Sequence, residues 1–133
     1  MSEPDDATTA RTPYERMGGA PTFAALAAAF YRGVAEDEQL RAMYPEADLA
    51  PAQERLELFL AQYWGGPQTY SERRGHPRLR MRHAGFDVTP AARDRWLHHM
   101  MAAVDTLDLE ADAEAQLRDY LTRAAYSLVN RLD

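Results

Sequence analysis

Five of the fifteen basic side chains fall between Ser71 and His83: Arg73, Arg74, Arg78, Arg80 and Arg82, with His76 and His83 in the same stretch. Arginine forks match carboxylates and phosphates, so the stretch reads as an anion site. Charge alone reads equally well as a solvated, salt-bridged loop. No glycine-rich phosphate cradle accompanies it, which weighs against a nucleotide. His83 closes the cluster and precedes the Ala84-Gly85-Phe86 break. A lone histidine is more often structural than a ligand. Two features shift that balance: the anion site beside it, and a density of polar-tipped aromatics in Tyr31, Tyr44, Tyr63, Trp64 and Trp96.

One imidazole, a set of arginines and several hydroxyl or indole donors together suit a flat apolar cofactor that carries carboxylates and a metal. Haem meets that description, with the imidazole as axial ligand, arginines on the propionates and donors over the open face. Other metal chemistry is narrowed by the absence of cysteine, which removes thiolate zinc sites, iron–sulfur clusters, disulfides and cysteine nucleophiles. His98 and His99 are neighbours on a helix and point apart, which is unsuited to joint chelation. Both read first as surface residues, although His99 and Met100 lie three and four residues beyond Trp96 on nearly its face, so that either could approach the pocket. Met100-Met101 otherwise reads as core filler. Glu36, Asp37 and Glu38 read as a solvent-exposed run of carboxylates.

The elements that must position these groups are helical. From Tyr14 onward apolar residues recur at helical spacing between Gly and Pro breaks, with no alternating β pattern, so the fold is all-α. Gly18-Gly19 ends a short first helix, and Pro21 to about Ala35 buries Phe23, Leu26, Ala27, Phe30 and Tyr31. A single turn is expected over Asp37 to Arg41. Asp48 is expected to cap a helix from Leu49 to Trp64 whose apolar set is Leu56, Phe59, Leu60, Tyr63 and Trp64. Residues 67–79 hold too many Pro, Gly and Arg for a long helix. Thr89 and Pro90 form a cap and first-turn signature for a helix carrying Trp96, Leu97, Met100, Met101 and Val104. A last helix, from about Leu109 to Leu132, buries Leu117, Tyr120, Leu121, Ala124, Ala125 and Leu128.

The whole chain sets the outer limits. Its 133 residues fit one domain, with a polar leader over residues 1–12 expected to be disordered and the folded domain over 13–133. Fifteen basic against twenty-one acidic side chains give a net charge of −6, which disfavours nucleic acid and anionic membranes as principal partners. The N-terminus lacks the apolar stretch of a secretory signal, and no apolar run is long enough to span a bilayer. A cytoplasmic location is expected.

The segments Phe30-Tyr31, Met43-Tyr44-Pro45-Glu46, Phe59 to Pro67, Gly75 to His83 and Arg93 to Leu97 closely resemble group II truncated haemoglobins of actinobacteria, collinearly from about Tyr14 to Asn130. The resemblance implies a two-over-two helical sandwich, a globin whose proximal F-helix region is reduced to a turn and loop. It implies haem b as cofactor and His83 as the proximal iron ligand. Tyr31 matches the B-helix tyrosine, Tyr44 the tyrosine after the C helix and Trp96 the G-helix tryptophan, the three distal donors. Ala52 matches the distal position where many globins place histidine. Leu56 and Phe59 line the pocket, and Arg55, Tyr70 and Arg80 or Arg82 are the propionate contacts. The chain departs from the family after the proximal histidine, where Gly85, Asp87 and Val88 replace the usual proline, basic residue and isoleucine. Glycine there loosens the backbone that orients the imidazole.

The resemblance implies binding of O2, CO and NO, with peroxide or sulfide as further ligands, a reductase as electron donor and a homodimer as an available assembly. Three donors exceed what reversible storage needs, because each hydrogen bond to a partly anionic ligand slows its release. Redox turnover, as NO dioxygenase or in a peroxidase-like reaction, is therefore the leading expectation, with an oxygen carrier as the alternative. The reading from another class is a non-haem helical interaction module, its aromatics forming the core and its arginines facing an acidic partner.

Overall fold

The structure, a computed structural model, describes residues 12–85 and 87–132, apart from the side chain of Arg80. Of the polar leader only Thr12 is among them, and it is ordered by its own chemistry. Its hydroxyl accepts from the Glu15 amide at 3.2 Å while its amide donates to the Glu15 carboxylate at 3.0 Å. This capping box starts α1, Pro13–Arg16. Gly18 and Gly19 then take φ of 110° and 72°, a left-handed turn that leads directly into α2, Ala20–Ala35.

Helix α2 is the central element. Phe23, Leu26, Ala27, Phe30 and Val34 are fully buried and Tyr31 nearly so, the stripe expected from the spacing. Each large side chain contributes about 1.5–3 kcal/mol by leaving water. The expected single turn is α3, Glu38–Arg41, capped by Asp37. Helix α4 covers Ala50–Tyr63, one residue inside the expected span at either end. Asp48 does take part, its carboxylate accepting from the Ala50 amide at 2.9 Å. The stretch expected as a loop contains two short helices, α5 at Thr69–Arg74 and α6 at Leu79–Arg82. Pro77 and the left-handed Arg78 (φ 46°, ψ 54°) keep them apart. Helix α7, Pro90–Asp105, starts at the Thr89 cap, which accepts from the Ala92 amide at 3.1 Å.

Helix α8, Ala111–Ser127, ends earlier than its apolar period. The cause is a tertiary competitor: the Asn130 amide donates to the Val88 carbonyl at 2.9 Å and the Asn130 side-chain oxygen accepts from the Val88 amide at 2.9 Å. The tail therefore turns back before Leu132. Helices α2 and α4 form one pair and α7 and α8 the other, joined where α2 meets α7. Among the described residues there is no strand, and no helix is long and apolar enough to cross a membrane.

Candidate functional site

The two helix pairs do not close completely on each other. Between them lies a cavity of about 580 Å³, a size that suits a cofactor or small molecule. Tyr31, Tyr44, Ala52, Arg55, Leu56, Phe59, Tyr70, Arg82, His83 and Trp96 all line it. Ten of the eleven residues singled out from the sequence thus share one chamber, and the eleventh, Arg80, has its side chain outside the described residues.

His83 is the C-cap of α6 and sits half-buried. Its Nδ1 lies 2.7 Å from the Leu79 carbonyl oxygen, one helical turn back. A carbonyl can only accept, so Nδ1 carries the proton and Nε2 presents its lone pair. This is the arrangement that metal-ligating histidines use to fix ring orientation and basicity. The main chain is held from a second direction, since the Asn130 side-chain amide donates to the His83 carbonyl at 3.2 Å. Asn130 thereby supplies some of the restraint that Gly85 gives up.

The polar aromatics occupy other walls. Tyr31 and Tyr44 meet edge to face with ring centroids 5.6 Å apart, which brings two phenols to the same part of the cavity wall. Burial pushes the Tyr31 phenol far above its ordinary value, and the neighbouring Tyr44 adds to the rise. Burial raises Tyr44 as well. The loop carrying Tyr44 is stapled by Arg41, which donates to the carbonyls of Tyr44, Glu46 and Ala47 at 2.8–3.0 Å. Trp96, on α7, packs against Phe30 at 5.4 Å between centroids.

The arginine cluster divides. Arg73 pairs with Glu54 at 3.4 Å on the surface, as the solvated-loop reading has it. Arg74 and Arg82 line the cavity and hold their guanidiniums over the Tyr70 ring at 5.9 and 5.7 Å. Arg82 also donates to the carbonyls of Arg74, His76 and Pro77 and so braces the α5–α6 loop. Gln62 anchors α5 from α4, donating to the Ser71 hydroxyl at 2.7 Å and accepting from its amide at 2.9 Å. This fixes the adjacent Tyr70. Arg55 faces the cavity but is bonded to Glu46 at 2.6 Å, and that bond keeps the Glu46 carboxyl below its ordinary range.

Of the two readings left open for His99 and Met100, approach to the cavity is the one that fails, and several other expectations are corrected. Met100 is fully buried in the core, and the His99 Nε2 lies 2.8 Å from the Asp37 carboxylate. Asp37 is not a solvated member of an acidic run: its side chain is 8% exposed and also accepts from Arg95 at 3.0 Å and from the Leu40 amide at 3.1 Å. The carboxylate thus fastens α3 to α7 on either side of Trp96. Tyr63 is half exposed rather than core. Tyr120, Ala124 and Leu128, expected as core, are cavity wall. Sequence reasoning missed Asn130, Arg41 and Arg93 as site residues; for Asn130 and Arg41 their partners are backbone atoms, which leave no mark on a pattern of side chains.

The chamber's contents fit a haem: apolar walls, one imidazole with its lone pair set on Nε2, cations at the rim, and neutral donors apart from the histidine.

The bacterial-like globin family model matches residues 12–130. A thermostable haemoglobin from the actinobacterium Thermobifida fusca is 62% identical and superposes with a TM-score of 0.91, over 92% of this chain and 100% of that one. Group 2 truncated hemoglobin 3-1 of Lotus japonicus is 40% identical over 119 residues, 87% of this chain and 70% of its own length. Group 2 truncated hemoglobin YjbI of Bacillus subtilis is 36% identical over 121 residues, 91% and 90% of the two lengths. The chain belongs to the bacterial-like globin family, among the group 2 truncated haemoglobins, and its chemistry is the haem-based binding of O2 that defines globins.

Proposed function

We propose that this globin carries haem b held by His83 and uses it for redox chemistry on O2 and NO rather than for storage. The observation that supports this most is the convergence of three donor groups on one cavity, the phenols of Tyr31 and Tyr44, edge to face at 5.6 Å, and the indole of Trp96. When bound, the haem iron supplies an open position for a diatomic ligand and a source of electron density that makes O2 partly anionic. The protein's part is to meet that charge. The Trp96 indole N–H has no acceptor capacity and stabilises only an atom with negative character. Tyr44 donates its hydroxyl proton while Tyr31 holds it in place. Ala52 leaves space where a larger side chain would compete. Arg82 braces the rim, and Arg55, Tyr70 and one of Arg80 or Arg82 are the propionate contacts. At about 1–1.5 kcal/mol each, two such bonds slow release of an anionic ligand far more than delivery requires.

Turnover calls for a reductase as electron donor, and a cytoplasmic setting suits such a partner. CO and NO bind as competing diatomics, with peroxide and sulfide as further ligands; a homodimer is compatible with this chemistry. The test is rapid mixing of the O2-loaded ferrous protein with NO. Nitrate and ferric protein should form in equal amounts at a rate that rises with NO concentration. Exchange of one gas for the other without ferric product would overturn the redox assignment and leave a carrier.

A further inference from the structure

A continuous set of aromatic rings runs from the cavity wall to solvent, and binding of a diatomic ligand does not require it. Tyr120 lines the cavity and stacks on Tyr63, with centroids 4.0 Å apart and planes 27° from parallel. Tyr63 is 51% exposed. Phe59, also in the cavity wall, lies 6.4 Å from Tyr63. Trp64 meets Tyr63 and Tyr120 edge-on at 5.3 and 5.7 Å.

Their proton chemistry differs. A phenol or indole that loses an electron becomes strongly acidic and must find a base. The buried Trp64 N–H has no hydrogen-bond partner among the described residues, so no acceptor stands ready there. At rest Tyr120 is a neutral phenol, its pKa pushed up to about 12 by burial and by the neighbouring Tyr63, and its stacking on Tyr63 lets an electron vacancy on the inner ring pass outward. Tyr63 alone of the three is half open to water, which can take the proton. The stacked pair therefore has an inner ring suited to pass an electron and an outer ring suited to finish the oxidation.

We propose that Tyr63 is a surface oxidation site, connected through Tyr120 to the cavity, at which small exogenous phenols are oxidised by hydrogen peroxide. The proposal rests on the haem reading of the cavity. One peroxide takes up two electrons and two protons, its O–O bond breaks and two waters form. Two phenols each lose one electron and one proton, breaking their O–H bonds, and leave as phenoxyl radicals. For each electron Tyr120 gives inward, Tyr63 refills Tyr120 and releases its proton to water. A phenol at the exposed face then restores Tyr63 by donating a hydrogen atom.

Tyr126 supplies an internal control. It is 55% exposed but lies under the Arg93 guanidinium at 4.1 Å, apart from the stack. The haem-loaded protein is treated with hydrogen peroxide and a nitroso spin trap, and the adducts are mapped by fragment sequencing. Tyr63 should be labelled several-fold more than Tyr126. In Tyr120→Phe of matched haem content the Tyr63 label should fall several-fold while Tyr126 stays unchanged. Tyr63→Phe should slow oxidation of added guaiacol while peroxide is still consumed. Equal labelling of Tyr63 and Tyr126, or a Tyr63 label indifferent to Tyr120→Phe, overturns the relay. A chain that takes up no haem and shows no Soret band refutes the haem reading instead, so the two failures are distinct.

Discussion

Replacing Trp96 by Phe isolates one hydrogen bond. The indole sits half-buried in the cavity wall against Phe30, so a phenyl ring preserves the apolar contact and removes the single N–H. A bond of about 1–1.5 kcal/mol corresponds to a roughly 5- to 13-fold faster release of O2. CO, much less polar when bound, should change by far less. Tyr31→Phe should act more weakly than Trp96→Phe if the Tyr31 phenol, edge-on to Tyr44, serves chiefly to position that residue. Stopped-flow displacement of each gas from the ferrous protein measures the release rates. Equal acceleration for O2 and CO would mean that the indole acts by shape, and the electrostatic role assigned to it would be refuted.

Asp37 is held well below the ordinary aspartate value of about 3.9, first by the His99 hydrogen bond, then by the Leu40 amide, with Arg95 adding to both. A depressed carboxyl stabilises the fold fully above its unfolded pKa and loses that contribution as pH falls towards the folded one. The melting-temperature gap between wild type and Asp37→Asn should therefore narrow as the pH falls below about 4; a gap that does not narrow there would contradict this. Arg82→Ala should speed haem loss to a scavenger globin with little salt dependence, because Arg82 acts largely through three carbonyls. A loss rate strongly damped by salt would instead mark a direct, solvent-exposed ion pair. Gly66→Ala would put its methyl 2.6 Å from the Tyr14 ring and 2.9 Å from the Ala61 carbonyl, a clash costing about 1–3 kcal/mol and readable as a lower denaturation midpoint.

Helices were legible wherever apolar period and cap chemistry agreed, as at Thr89-Pro90, or where the period was strong, as along the Phe23 to Tyr31 stripe. Period alone identifies a face and not what the face meets. Leu56, Phe59 and Tyr120 carry the same signal as core residues although they border a cavity, and Tyr63 carries it although it meets water. The end of α8 was misjudged because its competitor, the Val88 backbone, is 42 residues away. Pairs such as Asp37 with His99, 62 apart, have no local signature at all. The site residues were readable through family likeness together with the arginine and histidine cluster. Their supports were not, because Arg41, Gln62 and Asn130 act on main-chain atoms or on one neighbouring hydroxyl.

The Asn130 clasp also sets an order of events during synthesis. The side chain that holds the His83 carbonyl lies 47 residues further along the chain. At about 5–20 residues per second the ribosome needs roughly 2–9 s to cover that distance. For that interval the histidine segment exists with its Leu79 hydrogen bond available but without the Asn130 restraint, beside a flexible Gly85. If His83 holds the cofactor as proposed, cofactor that arrives early meets a looser histidine than cofactor that arrives late. Fastening the proximal side is therefore a late step in the making of this globin, completed only after the last long helix has been made.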